Sequence, residues 1–460
     1  MSASMTISEQ PRSHLTRAFL DSYLAADYSA VDLLARSAGH LEETCPDCRR
    51  GLPAESERLE RLLAAAGAGL RTSLDQLAAE REAAPAVALE LAALPHHEAL
   101  LRSLRDPRCH TLPFVEHHLL LAGLCLDRGL VEAAEEALTL VATVIPRMEP
   151  ARYGWGLIRE AEADAWVLDA RCHLAKGELP AADRRLTSAS ALATSGCSSP
   201  TLEADILFTR GGLRVAQRRD LDAWQLFHDV AGGMKKLGLW LAIPGVVAAA
   251  AWMERRLGRP AVAAARLVSF FEEWREAPAS WDEWWAAREL IAALCDLGGD
   301  RARVARHGVI YLATWSLPEL DDGNGRALLG LEREAQLRYL EGLFANRIGG
   351  EPARAEPALV RARNLFLRQE RGIDAALAIL ELVRLLLERG DIEPARRVAG
   401  DLEAVALCPD VQGSALAELV HFAERVIKDK VGATDLRALE DFLLRARAGW
   451  LPAAEDHEPP

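Results

Sequence analysis

The feature that most restricts this chain is a small residue that returns in one register. Ala134, Ala182, Ala223, Ala263, Ala355 and Ala395 each follow a turn and open an apolar helical stretch, at steps mostly close to 40 residues and some longer. Turn glycines recur in register at Gly129, Gly177, Gly258 and Gly390, and a degenerate unit turning at Gly298-Gly299 falls between Ala263 and Ala355. The segment from Phe114 to Pro146 shows the unit. An apolar helix ends at Gly129, and a second, with Ala134, Leu138 and Val141 at helical spacing, runs until Pro146 stops it. A unit of this size cannot bury its apolar face alone and has to stack on its neighbours. Residues 113–450 therefore read as a series of stacked helix pairs forming one elongated, all-α body. Composition agrees, because the dominant Ala, Leu, Arg and Glu all favour helix. At 460 residues the chain also exceeds what one hydrophobic core supports.

The pairs resemble the tetratricopeptide repeat. In that family a small residue of the first helix faces an Ala early in the second, and a Pro ends the unit. Ala122, Ala134, Leu138, Val141 and Pro146 match those positions, and Trp166, Ala170, Gly177, Ala182, Leu186 and Ala189 do so in the next unit. The period departs from the family's, which is about 34 residues. The resemblance implies an α-solenoid and is silent on its ligand; the partner expected is a protein bound on the concave face. Residues 52–112 read as an irregular helical linker region punctuated by Pro95 and Pro107, and residues 451–460 as an acidic, Pro-rich disordered tail.

Ahead of these stands His40-Leu-Glu-Glu-Thr-Cys45-Pro-Asp-Cys48. A Cys-x-x-Cys turn points two thiolates at one place, and a His at a helix end shortly before it supplies a third donor. Zn²⁺ prefers four S or N donors in a tetrahedron. His14, opening a helix expected from His14 to about Ala25, is the natural fourth candidate. A redox pair and two metal-free surface cysteines are the competing readings of Cys45 and Cys48. The arrangement resembles the zinc-binding anti-sigma domain of bacteria, with four residues rather than three between His40 and Cys45. The resemblance implies that residues 1–51 form a small helical module. In it His14, His40, Cys45 and Cys48 hold a structural zinc, and the helices contact an extracytoplasmic-function sigma factor. With all four positions filled by protein, no coordination site is left for a catalytic water.

The formal net charge of −14 disfavours direct nucleic-acid binding and suits a basic protein partner. No apolar run is long enough to span a bilayer, and the N-terminus lacks the order of a signal peptide, so the expected compartment is the cytoplasm. Cys125, Cys172 and Cys295 stand alone on apolar helix faces and read as small hydrophobes. His96, His97, Cys109, His110, His117 and His118 could form a second metal site, but read better as solvated or capping groups at a junction. Trp281, Trp284 and Trp285 share one helix face and read as core between units. Gly323-Asn-Gly325 lacks the Lys and the preceding strand of a phosphate loop. No catalytic motif stands out, and the carboxylates read as solvated faces. The expected function is a non-catalytic regulatory adaptor. The alternatives are a scaffold capped by the zinc knuckle and a redox-responsive switch at Cys45 and Cys48.

Overall fold

The computed structural model describes residues 75–195, 199–237, 244–273, 281–297, 326–411, 413–428 and 431–451. Among these residues every regular element is helical. The helices are α1 (75–92), α2 (His96–Ser103), α3 (Leu112–Asp127), α4 (Val131–Val144), α5 (Trp155–Ala175) and α6 (Leu179–Ser195). They continue with α7 (Pro200–Ala216), α8 (Asp220–Lys236), α9 (Pro244–Arg256), α10 (Pro260–Glu273), α11 (Trp281–Leu297) and α12 (Arg326–Phe344). The last are α13 (Pro352–Arg368), α14 (Gly372–Glu388), α15 (Ile392–Gly400), α16 (Gly413–Ile427) and α17 (Ala433–Arg447). Consecutive helices pack as pairs: α3 with α4, α5 with α6, α7 with α8, α9 with α10, and α12 with α13. Pro146 ends α4 as expected, in a single 3-10 turn. No helix among the described residues is long and apolar enough to cross a membrane.

The recurring glycines mark one repeated turn. Gly129, Gly177, Gly258 and Gly390 have φ between +72° and +80°. The N–H after each glycine donates to the carbonyl five residues back: Leu130 to Cys125, Glu178 to His173, Arg259 to Glu254 and Asp391 to Leu386. This left-handed turn satisfies carbonyls left over at the helix end and starts the next helix at a fixed angle. The same bond joins Arg219 to Arg214 and Arg371 to Phe366, where Arg218 and Glu370 adopt φ of 58° and 57°. Sequence could not mark those two turns, because no glycine stands in them. A Cβ in this conformation costs about 1 kcal/mol. Glu370 is exposed, so Glu370→Gly is expected to raise stability by about 0.5–1 kcal/mol, read as a higher denaturant midpoint.

Four residues after each turn carbonyl comes the aligned alanine. The N–H groups of Ala134, Ala182, Ala223, Ala263 and Ala395 donate to the carbonyls of Leu130, Glu178, Arg219, Arg259 and Asp391. All five alanines are fully buried, as are Ala375, whose N–H donates to Arg371 O after the same turn, and Ala355, which follows a different one. A methyl group here lets two helices cross closely.

The main core runs from Ala170 to Trp450, with a separate smaller one around Val87, Phe114, Val144 and Ile158. Three helices are buried nearly all round: Pro244–Glu254 of α9, Trp284–Leu294 of α11 and Gly372–Val383 of α14 are unbroken buried runs. A helix of that kind is covered on every side, whereas the first helices of an open array would keep one face in water. The cover is α17. The expectation of an elongated body does not hold, since the end of the chain returns to its first pair. Arg447 donates to the carbonyl of Asp127 at 2.7 Å. Asp410 accepts the N–H groups of Gly372 and Ile373 while lying where a side chain on Gly129 would have to go.

Candidate functional site

Helix α17 forms for local reasons. Asp435 accepts the N–H of Gly432 at the helix start, and Gly449 at φ +70° ends the helix, with Trp450 N–H donating to Arg445 O. Leu436, Leu439, Phe442 and Leu443 give it a buried apolar side. The groups it meets come mainly from α3, α5, α7 and α9, the first helices of their pairs, and from α11 and α14. It therefore lies on the face those helices line.

The middle of α17 inserts a carboxylate among arginines. Glu440 accepts from Arg288 of α11, from Arg347 just after α12 at 2.9 Å, and from Arg384 of α14 at 2.9 Å. Arg288 is 2 % exposed and also donates to Glu289 at 2.6 Å and to the Tyr339 hydroxyl at 3.3 Å. Arg347 holds both oxygens of Glu381, at 2.9 and 2.6 Å, and Arg255 joins Glu289 to Asp296. Burial opposes the charge on Glu440, but Arg347, Arg288 and Arg384 outweigh it and hold the carboxyl well below the usual range. One residue on, Asp441 pairs with Arg256, which also binds Asp220 of α8.

The end of α17 places an indole in an aromatic box. Trp450 stacks on Phe227 at 5.4 Å and meets Phe208, Trp252 and Trp285 at 5.6, 6.0 and 5.8 Å. Gly212 makes this fit possible, because a Cβ there would lie 2.3 Å from the indole nitrogen. Chemically, the arrangement holds α17 in two ways: fixed guanidinium forks engage its carboxylates, and an apolar slot encloses the aromatic ring that follows it.

The sequence reading missed this site. Glu289, Glu381 and Glu440 are buried, not members of solvated faces. Two signals were available: Arg288-Glu289 inside an apolar stretch of α11, and Gly449-Trp450 repeating the turn of earlier units.

The residues named from sequence divide in two. His14, His40, Cys45 and Cys48 lie outside the described residues, as do residues 1–51 as a whole, 52–74 of the linker region, Gly298-Gly299, Gly323-Asn-Gly325 and the tail from 452. Among the described residues no group of three or more His, Cys, Asp or Glu side chains could hold a metal. The junction histidines have separate local roles: His110 bonds to Ser103 O, buried His118 to Phe114 O, and His97 pairs with Glu98 in solvent. Trp284 and Trp285 are core, as expected. Cys125, Cys172 and Cys295 are unpaired thiols. Burial pushes the Cys172 thiol up to about 12, so it stays protonated and unreactive at neutral pH.

One carboxylate on the first-helix face carries strain. Burial first, then Asp205 and Glu160, push Asp164 of α5 up to about 7. A raised acid favours the protonated fold, so stability falls as pH rises from about 4 to about 7. Asp164→Asn is expected to stabilise the protein by about 1–2 kcal/mol at pH 8 and to change nothing at pH 3.5, by denaturant titration at both values.

The chain matches no protein-family model, and no curated protein is similar enough to count as a relative.

Proposed function

We propose that this chain is a non-catalytic regulatory adaptor. Its helix pairs form a tetratricopeptide-like α-solenoid that binds a partner protein on the first-helix face. An N-terminal zinc module contacts a sigma factor of the extracytoplasmic-function class. The observation that carries the solenoid reading is the repeated turn, with a buried alanine at the same place after it. The partner-binding reading is supported by the first-helix face itself, which already accommodates a helix through specific charged and aromatic contacts.

The zinc part rests on the donor set. Two thiolates and two imidazoles match the preference of Zn²⁺ and leave no open position, so the metal would be structural, and so small a module would depend on it for folding. The cytoplasm is the compartment proposed. The test is metal content of the purified protein by mass spectrometry, alongside His40→Ala and Cys45→Ser. One equivalent of zinc, lost in both variants, is the expected result, followed by capture of a sigma factor that both variants lose. Protein without metal would remove the zinc module, and zinc-loaded protein that captures no sigma factor would remove that partner.

A further inference from the structure

We infer that the face lined by α7, α9, α11 and α14 is a docking site for an acidic amphipathic helix of a partner protein, and that α17 occupies it in the partner's absence. This rests on the adaptor reading above and names the chemistry of the partner.

The first argument is the material used to hold α17. Buried ion pairs are a poor way to stabilise a fold, because well-packed apolar side chains of similar volume do as well or better. Yet Arg288 of α11, Arg347 just after α12 and Arg384 of α14 converge on the single carboxylate of Glu440. Fixed guanidiniums are selective for carboxylates. With α17 gone, the partners left among the described residues would be Glu289 and the Tyr339 hydroxyl for Arg288, Glu381 for Arg347, and a longer 3.7 Å pairing with Glu381 for Arg384. The face would then hold a basic pocket on a chain whose net charge is −14.

The second argument is that the contacts form a readable pattern along one helix. Glu440 and Asp441 engage Arg288 and Arg256, Leu436, Leu439, Phe442 and Leu443 are buried, and Trp450 fills the aromatic box nine positions after Asp441. The partner helix thus carries an acidic pair, an apolar side and an aromatic residue at that spacing. As a tethered occupant α17 competes at an effective concentration of roughly millimolar. A partner must therefore bind more tightly than α17 does, or gain from a second contact elsewhere.

The test uses the full chain with a specific-protease site inserted between Val431 and Gly432, so that cleavage removes the tether but no residues. The probe is a fluorescent synthetic peptide of residues 433–451, read by anisotropy. Expected is no binding before cleavage and exchange into the site after it. The unlabelled peptide should compete, and its Glu440→Gln and Trp450→Ala versions should compete at least 100-fold more weakly. An unrelated helix carrying the acidic pair and the Trp in register should compete as well, and a basic amphipathic helix should not. Three results would overturn the inference. The cleaved protein could lose its helical signal or precipitate, which would make α17 an inseparable part of the core. The Glu440→Gln peptide could compete as well as the native one. The uncleaved protein could bind the probe only as a dimer that exchanges α17, which would make the occupant a second copy. A partner captured on another face while exchange fails would leave the adaptor reading standing and remove only this inference.

Discussion

Replacing Glu440 with Gln is expected to lower the free energy of unfolding by about 3–5 kcal/mol, the range found when one member of a buried ion pair is removed. The cost is not the lost attraction alone. Gln keeps the shape but leaves Arg288, Arg347 and Arg384 with one negative charge fewer, inside protein and out of reach of water. Desolvation of the uncompensated guanidiniums then dominates. A pH series separates this from simple loss of packing. The folded-state carboxyl lies well below its ordinary 4.5, so its contribution is fully present above that value and is lost as pH falls through the acid range. Wild type and variant should therefore differ at pH 7 and converge as pH drops below about 4.5. A difference under about 1 kcal/mol at pH 7, or one independent of pH, would show that the arginine cluster does not hold α17 by charge.

The second large effect is expected from Trp450→Ala, about 3–5 kcal/mol, the range for emptying a buried Trp site. The indole is 4 % exposed and is surrounded by Phe208, Phe227, Trp252 and Trp285, which come from four helices. Gly212 cannot reach in to fill the space, having no side chain, so the cavity should persist and stay apolar. Added indole is then expected to recover part of the lost stability, read as a rise in the denaturant midpoint that wild type does not show. Absence of both the loss and the rescue would place Trp450 outside the core. Glu440 and Trp450 share no contacts, so the double variant should lose nearly the sum of the two single effects.

What could be read in the sequence follows from how local each determinant is. The turn at Gly129, Gly177, Gly258 and Gly390 is set by the backbone freedom of one residue, and the crossing at Ala134, Ala182, Ala223, Ala263 and Ala395 by a missing side chain. Both are properties of residue type at a spacing, and both occur where the spacing places them. The helical class, the stop at Pro146 and the burial of Trp284 and Trp285 were legible for the same reason. The turns at Arg218 and Glu370 were not, because their neighbours impose a conformation that those residues do not favour alone.

The site itself was decided by tertiary structure. Glu440 and Arg288 are 152 residues apart, and Arg447 and Asp127 are 320 apart. Such pairings join segments far apart along the chain, which no local pattern encodes. On a helical wheel Glu289, Glu381 and Glu440 look like any solvated carboxylate. Only the tertiary packing of the helices that carry them puts them where water is absent and an arginine becomes the necessary partner.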